Sequence, residues 1–322
     1  MDIIISKAVD GLTVLEYIKR HTSISSAHLK HLKFSEGGIK ANGSHVTVRY
    51  ILREGDVLSL ATEDTECDNG RFEPCELPLD IIYEDGSCVV PSKPPNMPTH
   101  PSHGHHMDTV ANALAFRYEG LGIPFVFRPV NRLDRNTSGL LLIARDRISA
   151  GELSRSMAKG KIKKAYIALL EGRLPNSEGI IETHMRRTAE SIIVRENCSA
   201  EEGGDYALTR YRALLENDGY TLVAASPVTG RTHQLRVHFA GLRAPIVGDD
   251  MYGSASPLIN RHALHSAVLT FPTVGGSEQV TVTAPPPDDM KNAIRAVFGE
   301  LADINETVRL CERFLLENDK IN

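Results

Sequence analysis

From residue 79 onward the sequence alternates short apolar stretches with polar turns, and few segments show the spacing of a helix. Many short strands with few helices between them favour a mixed, mainly antiparallel sheet over a doubly wound parallel one. The predicted fold class is therefore α+β. Strands are predicted over 139–144, 165–170, 180–183, 207–215, 220–226 and 279–284, after a hairpin that turns at Asp85-Gly86. Helices are predicted over 109–118, 148–159 and 232–240.

The first 62 residues are predicted to form a small unit of their own. A helical pattern at 14–18 and a second short helix near 28–32 precede a hairpin that turns at Asn42-Gly43, and a strand follows at 57–60. Residues 63–78 are acidic, contain two prolines and are predicted to be a linker. The main domain is then 79–298, and 299–322 is a C-terminal extension with helical periodicity over 301–317.

Length and composition indicate the size of the domains, the cellular compartment and the state of the cysteines. The chain has 322 residues, enough for one sizeable domain and a smaller one. No apolar run of about 18 residues exists, and the first seven residues do not look like a signal peptide, so we expect a cytoplasmic protein. The five cysteines contain no Cys-x-x-Cys pair, which predicts reduced thiols without a zinc site or a disulfide framework.

Charge is strongly segregated, although the net charge is only -5. Residues 128–173 contain eleven lysines or arginines and four acids, whereas 63–80 contain seven acids and one arginine. A local basic band fits a polyanionic substrate such as RNA, whose backbone supplies much of the binding energy. A solvated surface helix would explain the lysines at 159–164 equally well.

One acid lies between two arginines in a polar turn directly before a predicted strand. Asp134 stands between Arg132 and Arg135, and residues 136–139 lead into the apolar stretch. A carboxylate held ionised beside cations at the edge of a sheet suits a nucleophile or an electrostatic catalyst. An aspartate in such a turn can also simply cap its own backbone, and the segment alone leaves both interpretations open.

Two further segments carry candidate functional residues. Tyr166 begins an apolar strand after the basic cluster at 161–164, where it is either a core residue or a platform on which an unpaired base stacks. In 227–238 a strand end and a glycine turn lead into a helix, and Arg231 can present two parallel donors to a phosphate or a carboxylate. A helix with an ordinary polar face is the alternative for this segment.

Together and in this order, the segments resemble the RluA-type family of RNA pseudouridine synthases, over roughly residues 79–288. The motifs are Arg-Leu-Asp-x-x-Thr-Ser-Gly-Leu-Leu-Leu at 132–142, Lys-x-Tyr-x-Ala-Leu-x-Glu-Gly at 164–172 and Thr-Gly-Arg-Thr-His-Gln-Leu-Arg-Val-His at 229–238. Weaker motifs at 245–253 and 264–271 and a Lys-Pro loop at 93–101 support the resemblance.

The resemblance implies an enzyme that converts uridine to its C-glycosidic isomer within RNA, without cofactor or metal. Asp134 would be the catalytic residue, acting on a flipped-out uridine either by covalent attack or by abstracting a sugar proton. Arg231 would pair with Asp134, and Tyr166 would stack on the base and help to remove the C5 proton. Substrate contacts are implied for Arg132, Leu264, His233, Gln234 and Arg236.

Two positions depart from the family pattern. Asn96 stands where glycine is usual, and Asn131 stands where a histidine usually precedes the aspartate motif.

The first unit resembles an S4-like RNA-binding module at 38–43 and 52–56, although its helices carry fewer basic residues than such modules usually have. We therefore expect a pseudouridine synthase domain behind an S4-like domain, acting as a monomer on structured RNA, ribosomal in preference to transfer RNA.

Two rival functions belong to other classes. A non-catalytic RNA-binding or ribosome-assembly protein could keep the same fold, but it should have lost Asp134, Tyr166 or Arg231, and all three are present. A metal-dependent hydrolase could use the four histidines at 100–106. Their spacing matches no regular metal motif, and Pro101 and Gly104 mark a loop.

Overall fold

The computed structural model describes residues 2–22, 24, 29, 32–33, 37–61, 72–102, 104–191, 193–276 and 278–317. The strands are β1 (Asp2–Ile4), β2 (Ile39–Ala41), β3 (Ser44–His45), β4 (Val57–Leu60), β5 (Asp80–Glu84), β6 (Cys88–Lys93), β7 (Arg128–Pro129), β8 (Ser138–Leu140), β9 (Ile143–Ala144), β10 (Lys163–Glu171), β11 (Glu178–Arg187), β12 (Arg195–Cys198), β13 (Asp205–Glu216), β14 (Tyr220–Pro227), β15 (Leu264–Pro272) and β16 (Gln279–Thr283). The helices are α1 (Val14–His21), α2 (Val110–Gly120), α3 (Arg147–Ala158), α4 (Gln234–Gly241), α5 (Asp288–Phe298) and α6 (Ile304–Glu317).

The N-terminal strands form a 4-stranded antiparallel sheet in the order β1-β4-β2-β3. The predicted hairpin is confirmed, since Asn42 and Gly43 join β2 to β3. Their φ angles are 50° and 80°, and a two-residue hairpin turn with positive φ at both positions favours the Asn-Gly pair. Helix α1 begins with a capping box in which Thr13 and Glu16 bond each other's backbone N–H. The helix predicted near 28–32 lies largely outside the described residues.

The remaining strands form a 12-stranded sheet in the order β12-β11-β13-β14-β10-β15-β8-β6-β9-β7, with β16 paired to β15 and β5 paired to β6. Among the described strand pairs, β8 and β15 are parallel and the others are antiparallel. The prediction of an α+β fold with a mainly antiparallel sheet is therefore confirmed, as is the hairpin at Asp85-Gly86.

Both faces of the central strands are buried. On one face, Val89 and Ile143 pack with side chains of α2, α5 and α6. On the other face, Val90 and Leu142 pack with Leu153 of α3. This two-sided burial explains why residues 140–144 are an unbroken apolar run. No helix within the described ranges has the length and apolar character needed to span a bilayer.

The single strand predicted over 139–144 is in fact two, β8 and β9, separated at Leu141-Leu142. The interruption has a local cause. The Leu142 N–H donates to the side-chain oxygen of Asn131 at 2.7 Å instead of to a strand, and the Leu142 carbonyl accepts from the Val130 N–H. A side chain of the preceding segment thus replaces a strand partner at this point.

Other boundaries also differ from the sequence prediction. The helix predicted over 232–240 begins at Gln234, because His233 has a left-handed backbone with φ of 59°. Strand β15 and helix α5 were not predicted. The helix predicted over 301–317 is a 3-10 turn at Gly299–Leu301 followed by α6, whose first free N–H groups are capped by the Asp303 carboxylate.

Gly139 is expected to be irreplaceable at the junction of β8 and β15. Its φ is +110°, and an added Cβ would overlap the Ser266 carbonyl oxygen and lie 2.7 Å from the Ser266 nitrogen. Gly139→Ala should therefore lower the free energy of unfolding by about 2–4 kcal/mol. Urea denaturation measures this, and Gly86→Ala, where nothing lies within 4 Å, is the control with little expected change.

Candidate active site

The topology brings the three predicted segments to one edge of the large sheet. β8 directly follows the Asp134 turn, its neighbour β15 begins at Leu264, and the next strand, β10, carries Tyr166. On the other side of β10, β14 ends at Pro227 and leads into α4. Between these elements lies a cavity of about 250 Å³. It is lined by residues 130–134, Thr137, Met157, Lys164, Tyr166, Pro227, residues 229–236 and Leu264.

The Asp134 carboxylate is directed at this cavity and not at its own turn. The Thr137 N–H donates to the Asp134 carbonyl at 3.1 Å, and the buried Thr99 hydroxyl donates to the Leu133 carbonyl at 3.1 Å. The turn is thus held by backbone and neighbouring groups, and the described residues offer the Asp134 side chain no capping hydrogen bond. With 24% of the side chain exposed, the carboxylate is open to a substrate.

Arg236, and not Arg231, is the arginine next to Asp134. Arg236 Nη1 lies 4.0 Å from Asp134 Oδ2. The Arg231 side chain is 41% exposed, donates from Nε to the Tyr206 carbonyl at 2.9 Å and lies 4.0 Å from Asp205. The Arg231–Asp134 pair that the resemblance implied is therefore not formed, because Arg231 precedes the left-handed turn and extends along β13.

A buried carboxylate fixes the Arg236 guanidinium. Arg236 is 5% exposed and donates from Nε and Nη2 to the two oxygens of Asp249, which is 0% exposed, at 2.7 and 2.6 Å. Its guanidinium also lies 5.0 Å from the centre of the Tyr252 ring. Burial alone would raise the pKa of Asp249, but the hydrogen bonds and charge of Arg236 outweigh it and hold the pKa below its usual value.

His233 supplies a second contact to Asp134. Its Nε2 lies 3.8 Å from Asp134 Oδ2, and its Nδ1 is hydrogen-bonded to the Tyr252 hydroxyl at 2.8 Å. Burial lowers the pKa of His233, and the Arg236 charge adds to this against the opposing effect of Asp134. The imidazole is therefore neutral at pH 7, and the permanent positive charge beside Asp134 belongs to Arg236.

The opposite wall of the cavity is aromatic, apolar and basic. Tyr166 follows a register shift in the pairing of β10 with β15, and it lines the cavity. Burial raises the pKa of Tyr166, so the phenol is protonated at neutral pH. Leu264 is buried beside it. Lys164, which the sequence did not single out as a site residue, also lines the cavity, and burial lowers its pKa to about 8.

Gln234 and Arg132, both predicted to bind substrate, differ in whether their hydrogen-bonding groups are already occupied within the protein. Gln234 is saturated: its Nε2 donates to the Leu208 carbonyl and Thr209 hydroxyl, and its Oε1 accepts from the Thr229 hydroxyl and the Arg231 N–H. Its amide therefore holds the turn before α4 and has no group left for RNA. Arg132 is exposed at the rim of the cavity, and no hydrogen bond or ion pair to another described residue occupies it.

The two departures from the family pattern have local explanations. Asn96 has φ of 60°, a left-handed conformation that glycine adopts freely and asparagine tolerates. Asn131 is buried and accepts from the Leu142 N–H, so the position requires an acceptor there. Because that N–H can only donate, the amide oxygen is assigned and the amide nitrogen faces away from Leu142.

One histidine of the loop at 100–106, His105, contacts the turn that carries Asp134. His105 Nε2 accepts from Arg135 at 3.1 Å, and its Nδ1 is bonded to Asp108 at 2.6 Å. Arginine is only a donor, which fixes His105 as the tautomer that donates from Nδ1. Within the described ranges, no three His, Cys, Asp or Glu side chains converge as a metal site would require.

Residues 87–241 match the family described as RNA pseudouridylate synthase. The "Uncharacterized RNA pseudouridine synthase YjbO" of Bacillus subtilis is 37% identical over 88% of this chain and 99% of its own length. The "Ribosomal large subunit pseudouridine synthase D" of Vibrio cholerae is 32% identical over 89% of this chain and 90% of its own. The solved structure "Human RNA Pseudouridylate Synthase Domain Containing 1" superimposes with a TM-score of 0.58 at 27% identity, covering 73% of this chain and 95% of that one.

Proposed function

Since the chain belongs to the RNA pseudouridine synthase family, we propose that it isomerises specific uridines of large-subunit ribosomal RNA to pseudouridine. The observation that carries the proposal is the convergence of Asp134, Arg236, Tyr166 and Leu264 on one cavity from four separate segments. Similar relatives are named as ribosomal large subunit pseudouridine synthases, which supports ribosomal RNA as the substrate.

The reaction itself needs no external reactant. The bond between C1′ and N1 of uridine breaks, the base turns, and a bond forms between C1′ and C5. The C5 proton leaves and N1 gains one, so atoms and electrons balance within the nucleotide. Asp134 acts on the flipped-out uridine by one of two routes, attack to form a covalent intermediate or abstraction of a sugar proton.

The other residues have supporting roles in this proposal. Arg236 places a permanent positive charge beside Asp134 throughout the reaction. The Tyr166 ring stacks on the base, and Leu264 and Tyr166 keep the detached base in the cavity. Because the raised pKa of Tyr166 disfavours the phenolate, the hydroxyl contributes to loss of the C5 proton as a hydrogen-bonding group rather than as a free base. The side chains of Arg132 and Arg231 meet RNA phosphates.

We extend the proposal to the rest of the chain. Residues 1–62 act as an S4-like RNA-binding domain, 63–78 as a linker, 79–298 as the catalytic domain and 299–322 as a helical extension. The enzyme works as a monomer in the cytoplasm, where ribosomal RNA is accessible.

Pseudouridine mapping tests the proposed function. Ribosomal and transfer RNA from cells with and without the gene are treated with carbodiimide and read by primer extension. A site in large-subunit ribosomal RNA should disappear on deletion, return with the wild-type gene and stay absent with Asp134→Ala. If no pseudouridine disappears from any RNA, the enzyme proposal is wrong and the non-catalytic RNA-binding alternative stands. A lost site in transfer RNA would contradict only the target.

The ring of Tyr166 is expected to matter more than its hydroxyl. Tyr166→Phe keeps the stacking surface and should slow single-turnover pseudouridine formation by no more than about 10-fold, whereas Tyr166→Leu removes base stacking of about 1–3 kcal/mol and should cost on the order of 100-fold. The two rates are measured on the mapped RNA. Equal losses in both variants would show that the hydroxyl is the essential part.

A further inference from the structure

A buried arginine beyond residues 87–241 donates to the turn carrying Asp134. Arg261 precedes β15, is 7% exposed and does not line the cavity, and the match ends at residue 241. We propose that Arg261 is a positioning residue for the isomerisation: with Asp289 of α5, it fixes the backbone of the Asp134 turn. This inference rests on the proposed function of the site.

The Arg261 guanidinium joins three parts of the molecule. Its Nη1 donates to the carbonyl of Asn136 in the turn at 2.9 Å and to the carbonyl of Leu264 at the start of β15 at 3.4 Å. Its Nε and Nη2 donate to the two carboxylate oxygens of Asp289 at 2.7 and 3.0 Å. One side chain thus connects the turn, the strand that supplies an apolar wall of the cavity, and helix α5.

Each carbonyl from residue 133 to residue 136 has a hydrogen-bond donor. The carbonyls of Leu133, Asp134, Arg135 and Asn136 accept in turn from the Thr99 hydroxyl, the Thr137 N–H, the Lys93 Nζ group and Arg261 Nη1. Removing Arg261 leaves the partly buried carbonyl of Asn136 without this donor, and the turn must move to replace the hydrogen bond. Of these donors, Arg261 is the one supplied from outside residues 87–241.

Asp289 is what keeps Arg261 in this orientation. It lies in the first turn of α5, where the helix N-terminus favours a negative charge. Burial would raise the pKa of Asp289, but the hydrogen bonds and charge of Arg261 outweigh it and lower the pKa. A lysine could not replace the arginine, because a single ammonium cannot bond both carboxylate oxygens and the Asn136 carbonyl in one plane.

Arg261→Met should slow the reaction without weakening RNA binding. A displaced carboxylate costs on the order of 10- to 100-fold in rate, and we expect that loss in single-turnover pseudouridine formation at saturating RNA. The dissociation constant for the same RNA should change less than about 3-fold, because the substitution removes no side chain that lines the cavity. Amide hydrogen exchange of residues 131–138, measured by mass spectrometry, should become faster.

A milder variant and a matched control complete the test. Asp289→Asn keeps the shape of the pair and should give a smaller loss of rate with the same exchange signature, which covers the case in which Arg261→Met does not fold. Arg212→Met removes an arginine that likewise bonds the C-terminal helices, through Glu317, but does not reach the turn. Its rate and its exchange over 131–138 should equal those of the wild type.

Three results would overturn the inference: a wild-type rate in both site variants, a loss of rate matched by an equal loss of RNA affinity, or unchanged exchange over 131–138. If the wild-type protein forms no pseudouridine in any RNA, the proposed function fails, and hydrogen exchange alone then decides. Faster exchange in Arg261→Met supports the positioning role, and unchanged exchange contradicts it.

Discussion

Replacing Asp134 by asparagine is expected to abolish pseudouridine formation, with a loss of at least about 10³-fold in single-turnover rate. The amide has the size of the carboxylate but cannot attack C1′ or accept a sugar proton. The protein should stay folded, since the contacts of Asp134 with His233 and Arg236 are long, 3.8 and 4.0 Å, and the side chain is partly exposed. We expect the free energy of unfolding to change by less than about 1 kcal/mol.

The measurement combines three readouts on one preparation: pseudouridine formed in the mapped RNA, RNA affinity and the urea midpoint. Asp250→Asn, which neutralises an exposed acid outside the cavity lining, is the control and should keep full activity. An Asp134→Asn protein that retains more than a tenth of the wild-type rate would show that another group carries the reaction.

The sequence patterns predicted most of the large sheet but not strand β15 or helix α5, for different reasons. In β15, His265 and Ser266 are polar and yet buried, and His265 is satisfied by Ser138 and the Ala284 carbonyl. These two polar residues interrupt the apolar pattern that is typical of a central strand. Their burial depends on hydrogen-bond partners in other segments, which the pattern of this segment does not show. In α5, Met290, Ala293, Ile294 and Phe298 do follow helical spacing. The sequence prediction nonetheless placed no helix between the strand at 279–284 and the helical periodicity over 301–317.

The site shows the same limit. Asp134, Tyr166 and Leu264 each lie in a motif of their own, and the structure brings the three to one cavity. The arginine beside Asp134 could not be predicted, since one motif contains both Arg231 and Arg236. Which of them faces the carboxylate depends on the left-handed backbone of His233 and on Asp249, which binds Arg236. Neither the dihedral angle nor the long-range pair is visible in a linear pattern.

Arg236→Met is expected to lower both the free energy of unfolding and the reaction rate. Arg231→Met is expected to change both quantities much less. Loss of Arg236 leaves Asp249 fully buried without its partner, which should cost about 3–5 kcal/mol in the free energy of unfolding. It also removes the positive charge beside Asp134, so the rate of the folded fraction should fall on the order of 100-fold. Urea denaturation and single-turnover assays at low temperature measure the two effects.

The Arg231→Met variant is the internal control, because this arginine is exposed and its ion pair with Asp205 is long. Its stability should change by less than about 1 kcal/mol. If Arg231 binds a phosphate, the salt dependence of RNA binding should weaken by about one unit of slope. A large loss of rate in Arg231→Met with intact RNA binding would instead support the pair with Asp134 that the sequence motif implied, formed only when RNA is bound.

A double variant separates the two functions of Arg236. In Arg236→Met/Asp249→Leu no unpaired charge remains in the core, and replacing a buried ion pair by apolar groups of similar volume is often neutral or stabilising. The stability lost in Arg236→Met should therefore largely return. Activity should not return, because the carboxylate of Asp134 still has no cation beside it. Recovery of both together would mean that Arg236 contributes to the enzyme only by keeping Asp249 paired.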